Sequence, residues 1–325
     1  MGHCTTAILF ALSVLSFASA HSTLIQHGKE FVYDYKALVK AGTIIPAAYA
    51  SEFYLHGKLH LQHGYPSLFA QLSDLKYKVH NGEDHYGHEH EAVEFPLPKE
   101  AEDLLMPFKI VYHKNGQVKQ IVTEKHQKIY ARNMHKAIAA MLQMNVEKVN
   151  LDSDKAHAFM TDEYSIYGKT VAAYNVLPKT DRLVVQKMHE MKSTRPIYQS
   201  MIISTSPSYC EAHYEEPMSH DSHQYYVIVK QDGYHIVKHM ESTGGIYIYP
   251  FQAKSEAEYV LINVTLNLVD IVPVQKAFQI TSEHVDEDLT YQLIDPSVED
   301  VPDIMNGRRT VDKKQYIPVL EKNDE

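Results

Sequence analysis

Residues 80–94, HNGEDHYGHEHEAVE, set His80, His85, His88 and His90 among Glu83, Asp84, Glu89 and Glu91. Imidazole nitrogens at that density are donors for Zn or Cu, and the carboxylates supply oxygen ligands or acceptors behind the imidazoles. His85, His88 and His90 are therefore the candidate metal ligands. The spacing is not that of a structural zinc site, so a solvated His-rich loop with incidental weak affinity is the plain alternative. A second cluster, His213, His220 and His223 with Glu215, Glu216 and Asp221, also reads as a polar loop. The word His90-Glu91-Ala92-Val93-Glu94 approaches that of zinc proteases, but Glu94 stands where the second His is needed. With no G-x-S-x-G elbow, P-loop or dinucleotide fingerprint either, the motifs point away from an enzyme.

Three further positions carry chemistry of other kinds. Residues 1–20 lack charge, run apolar and end Ala18-Ser19-Ala20, which predicts a secretory leader cleaved before His21. Cleavage removes Cys4 and leaves Cys210 as a lone thiol, either a small buried residue or one half of an intermolecular bridge. Asn263-Val264-Thr265 is a glycosylation acceptor, usable only if Asn263 faces solvent, because it lies in a strongly β-branched stretch. A net charge of -10 argues against nucleic acid as partner, since phosphates require a basic face. No stretch past the leader reaches the roughly 20 apolar residues of a membrane span.

The elements that position these groups read mostly as strands. Residues 31–38, 53–63 and 72–79 alternate apolar and polar, an antiparallel meander. Residues 107–112 and 117–123 flank Asn115-Gly116, a strong hairpin signal. Residues 124–144 are different. Ile129, Tyr130, Met134, Ala137, Ile138, Met141 and Leu142 recur at three-and-four spacing, which predicts a helix. Its other face carries Lys125, His126, Lys128, Arg132, His135 and Lys136, charges that need partners if a sheet closes around it. Further strands follow at 158–174 (broken at Gly168), 182–188, 197–205, 225–230, 234–240, 246–251 and 258–271, with turns at Asp232-Gly233 and Gly244-Gly245. Residues 295–325 lose this periodicity and read as a polar, flexible tail, which leaves 21–294 as one domain.

Several words in this order resemble the N-terminal module of the vitellogenin family of large lipid transfer proteins. PFKIVYHKNGQVKQIV resembles its proline-led hairpin, and KIYARNMHKAIAAMLQM its helix, with Asn133, Lys136 and Gln143 in matching places. YGKTVAAYNV and IYIYPF resemble later strands. The resemblance implies a mainly β fold, an antiparallel β-barrel wrapped around one central α-helix, here ending where the family's helical arch would begin. A cysteine usual near Thr170 is absent, and with it a cross-link of about 2–4 kcal/mol.

The function implied is that of a secreted, non-enzymatic lipid-transport or yolk-type binding protein, with little lipid of its own and no required cofactor. Its partner would be a lipoprotein-type uptake receptor or another extracellular protein. The family's receptor-contact strand resembles residues 184–191, VVQKMHEM, which makes Lys187, His189 and Glu190 the candidate contacts; His189 stands where a second lysine is usual. A His-rich metal-binding protein and a secreted storage protein are the alternatives.

Overall fold

The computed structural model describes residues 24–43, 49–64, 67–83, 93–190, 218–248, 258–292 and 294. The leader, the strand expected at 197–205, Cys210 and the 295–325 tail lie outside these residues.

Alternating side chains do form the expected meander: β1 (Lys29–Thr43), β2 (Tyr49–Gly64) and β3 (Ser67–Glu83) pair antiparallel in sequence. Phe31, Tyr33, Tyr35, Leu55, Leu59 and Leu61 are buried on one face while most of their neighbours, Val32 and Gln62 excepted, are more exposed, the pattern of an antiparallel sheet with one covered face. A two-residue strand, β4 (Phe95–Pro96), pairs with β3. The hairpin of β5 (Phe108–Tyr112) and β6 (Val118–Glu124) turns at Asn115-Gly116, where Gly116 has φ 87°. Then come α1 (Ile129–Leu142), a short α2 (Val146–Val149), and the strands β7 (His157–Ser165), β8 (Gly168–Pro178) and β9 (Leu183–Glu190). The last group is β10 (Met218–Gln231), β11 (Tyr234–Ile248), β12 (Glu258–Pro273) and β13 (Glu283–Asp286). Asp232 and Gly233, both at positive φ, make the expected tight turn between β10 and β11.

All strands belong to one antiparallel sheet in the order β13-β6-β5-β3-β2-β1-β12-β11-β10-β9-β8-β7, with β4 beside β3. This corrects the expected closed barrel: among the described residues no ladder joins β13 to β7. The reason lies at the β7 edge. The carbonyls of Met160, Asp162 and Tyr164, alternate residues on that edge, accept from side chains: Lys148 Nζ at 3.3 Å, Gln117 Nε2 at 2.6 Å and Gln143 Nε2 at 3.0 Å. With those acceptors engaged and β13 only four residues long, the backbone bond among the described residues that links the segments following the two end strands is Tyr291 N–H to Ile166 O at 3.0 Å.

The helix sits inside this curved sheet, and every one of its 14 residues is buried or half-buried. It touches distant strands. The Tyr35 hydroxyl on β1 lies 3.6 Å from Met134 sulfur, the Phe108 ring on β5 stacks on His135 at 4.1 Å, and the Tyr226 hydroxyl on β10 lies 3.0 Å from Met141 O. Its N-terminus has no cap from its own chain segment. Asp103, in the 3₁₀ turn Lys99–Leu105, accepts the Lys128 N–H at 2.8 Å and places a carboxylate at the positive end of the helix.

Two other expectations change. Gly244-Gly245 does not turn; β11 runs through it, held extended by β10 on one side and β12 on the other. For the same reason His220 and His223 lie on β10 rather than in a loop.

Candidate functional site

Where the helix ends, strands β7 to β10 converge on a fully enclosed polar cluster. Val185 and Lys187 alternate inward on β9, across the ladder from Val176 and Tyr174 of β8. The Lys187 ammonium therefore enters the core, where it donates to Gln143 O at 2.8 Å and lies 3.4 Å from Glu163 Oε2. Its own ring neighbour is Tyr174, with the ring centroid 5.8 Å away. Glu163 accepts the Tyr174 hydroxyl at 2.5 Å on one oxygen and Gln143 Nε2 at 3.1 Å on the other. Gln143 completes the circuit by accepting the Val118 N–H at 2.8 Å.

Burial governs the protonation of this cluster. It pulls the Lys187 pKa down, while the Glu163 charge and hydrogen bond offset part of that loss. Burial and then the Glu163 charge hold the phenols of Tyr174 and Tyr226 well above their ordinary range, so both remain neutral donors. Enclosed on all sides, the cluster cannot reach a substrate. It binds β7, β8, β9 and β10 to the end of α1.

A second polar seam answers where the helix charges go. Lys136 donates to Thr290 O at 2.9 Å and pairs with Asp286 at 3.1 Å. Asn133 exchanges two hydrogen bonds with the Gln292 backbone, 2.8 and 3.0 Å, and Arg132 meets the His284 ring. His135 carries no charge: burial lowers its pKa to about 4, and its ring is held between Leu104 O and the Gln127 amide. The positively charged face thus clamps the segment around β13 onto the helix.

Lys187, expected as a receptor contact, is corrected by its burial, because an ammonium paired with Glu163 inside the core cannot be gripped from outside. His189 offers no substitute cation. Burial first, then the Lys187 charge, lower its pKa to about 3, and its Nδ1 lies 3.1 Å from Thr170 Oγ1. Glu190 ends β9, across from Val171. Asn263 sits mid-strand between Leu38 and Thr243, half-buried, with its amide donating to Glu241 at 3.1 Å. His85, His88, His90 and His213 lie outside the described residues, and among those described no group of three His, Cys, Asp or Glu is placed to hold a metal. Glu163, Tyr174 and Tyr226 went unmarked by sequence reasoning; the only signal was a charged residue at an inward position of an alternating strand.

A long antiparallel sheet curved about one buried helix is the architecture of the lipovitellin fold. A solved structure described as lipid–protein interactions in lipovitellin superposes with a TM-score of 0.65 at 17% identity, over 84% of this chain and 28% of that one. Residues 26–276 match the Vitellogenin N-terminal domain, and the chain belongs to that family. Vitellogenin-6 of Oscheius tipulae is 23% identical over 189 residues, which are 54% of this chain and 11% of that protein. The chain thus spans about a tenth of the curated relative it matches. Asn133, Lys136 and Gln143, which carry the resemblance, are among the residues that bind the helix to its surroundings.

Proposed function

We propose that the chain is a secreted lipid-transport or yolk-type protein whose main role is binding, through contacts with extracellular proteins and with little lipid capacity of its own. Membership of a lipid-transport family supports the setting. The observation that carries the low capacity is the filled interior: the helix occupies the concave side of the sheet. Beside it, a cavity lined by Leu24, Leu61, Leu68, Leu142, Met144 and Met240 measures about 20 Å³, the scale of one water molecule. An acyl chain does not fit there. Contact with an uptake receptor, where it occurs, would rest on lysines other than Lys187.

Expression with the native leader tests the first part: the chain should reach the medium with His21 as its first residue. Solvent extraction of that material followed by mass spectrometry tests the second. Less than one lipid per chain is expected; several retained lipids per chain would overturn the low-capacity reading.

A further inference from the structure

The outer face of β1 to β3 carries an arrangement that the binding role does not use. His60 on β2 places Nδ1 2.8 Å from Glu30 Oε1 on β1 and Nε2 2.8 Å from Ser73 Oγ on β3. An ionised carboxylate only accepts, so Nδ1 carries a proton, and in the neutral ring Nε2 is then the lone pair facing the serine. Ser73 therefore donates to His60. That is the order of a nucleophile, its base and the group that orients the base. The alternative acceptor for Ser73, Asp74 Oδ2, is farther at 3.5 Å.

The surroundings hold this geometry in place. Glu30 is fixed through its other oxygen by Gln62 Nε2 at 2.5 Å. Gln62 is itself pinned under the chain that follows β12, through Lys276 O at 2.9 Å and Phe278 N at 3.1 Å. Ser73 enters a bulge: it pairs with Lys58, Lys76 pairs with His56, and Asp74 at φ 53° takes the left-handed turn between them. Gly57 opposite has no side chain to obstruct it, since a Cβ there would lie 2.6 Å from Ser73 O. The Lys58 ammonium pairs with Oδ2 of Asp74, the residue next to the serine, at 3.5 Å and is half open to solvent. Ser73, His60 and Glu30 are all half-buried, with 21% of the His60 side chain and 16% of the Glu30 side chain exposed.

We propose that Ser73 is an activated nucleophile that accepts acyl groups from small carboxylic esters, with His60 as its base and Glu30 as the residue positioning His60. Ser73 Oγ attacks the ester carbonyl carbon as His60 Nε2 takes the hydroxyl proton. Collapse of the tetrahedral species breaks the bond to the alkoxy oxygen, which leaves as the alcohol with the proton from His60. Water then attacks the seryl ester, His60 again taking and returning the proton, and releases the carboxylic acid and free Ser73. This inference stands on the outer face and is independent of lipid content.

The intact chain treated with a fluorophosphonate probe should be labelled at Ser73, located by peptide mapping, and should release p-nitrophenol from p-nitrophenyl acetate. Ser73→Ala should abolish labelling at that peptide and the release above background. His60→Gln should slow labelling of the retained Ser73 about 100-fold, the scale of general-base assistance. Glu30→Gln should slow it with the melting temperature unchanged, and Glu30→Asp should recover part of the rate. Labelling of native Ser73 no faster than in the heat-unfolded chain would overturn the proposal. So would a labelling rate indifferent to His60→Gln in a variant with native near-ultraviolet circular dichroism.

Discussion

Lys187 and Glu163 form an ion pair, 3.4 Å from nitrogen to oxygen, in which neither side chain exposes any surface. Such a pair stabilises little in itself, because desolvation offsets most of the attraction, but losing one partner strands the other charge in the core. Lys187→Met should lower unfolding free energy by about 3–5 kcal/mol. Adding Glu163→Gln to it should recover a large part of the loss. Urea denaturation of the two singles and the double variant decides; additive losses would mean that the pair is not coupled.

His135 makes stability depend on pH in one direction. Its pKa is about 4 in the folded chain and about 6.5 when exposed, so between these values the unfolded state binds the extra proton. Stability is therefore complete above about pH 6.5 and falls as pH drops toward 4, by about 3 kcal/mol from this group. Urea midpoints measured for the wild type and His135→Gln between pH 7 and pH 4.5 should show a shallower fall in the variant. Parallel slopes would exclude His135 as the source.

Gly57 lies under the β3 bulge, where an added Cβ would be 2.6 Å from Ser73 O and 2.7 Å from a Leu75 methyl. The nearer atom is backbone and cannot rotate away, so Gly57→Ala should destabilise by about 1–3 kcal/mol, the cost of overpacking. Thermal denaturation tests it, with Gly233→Ala as a comparison where a Cβ meets nothing within 4 Å and only the positive φ is strained.

Gln117 and Lys148 cover two carbonyls of the β7 edge, whose side chains Met160 and Tyr164 are already exposed by half or more. Removing both caps, in Gln117→Ala with Lys148→Ala, should free a strand edge for pairing with another chain. Light scattering during mild heating should rise earlier in the double variant than in the wild type. An unchanged onset would show that other groups protect the edge.

Periodicity made much of the architecture legible. The 3.6-residue recurrence from Ile129 to Leu142 placed the helix, alternation placed β1 to β3, and Asn115-Gly116 and Asp232-Gly233 placed two turns. These are local signals, set by neighbours within a few residues. Gly244-Gly245 misled because a glycine pair marks a turn only when nothing holds it extended, and two flanking strands do. β13 escaped notice because four residues are too few to show a period.

The sequence by itself determined the helix, most of the strands and the family, since propensity, alternation and short words are written along the chain. Tertiary structure decided whether the sheet closes, because that depends on which distant side chains reach the β7 carbonyls. It also decided what the charges do. Lys187 reads as a surface cation until Tyr174, Glu163 and Gln143, from three other elements, surround it. Ser73, His60 and Glu30 come from three different strands, and only their register places them within hydrogen-bonding distance of one another.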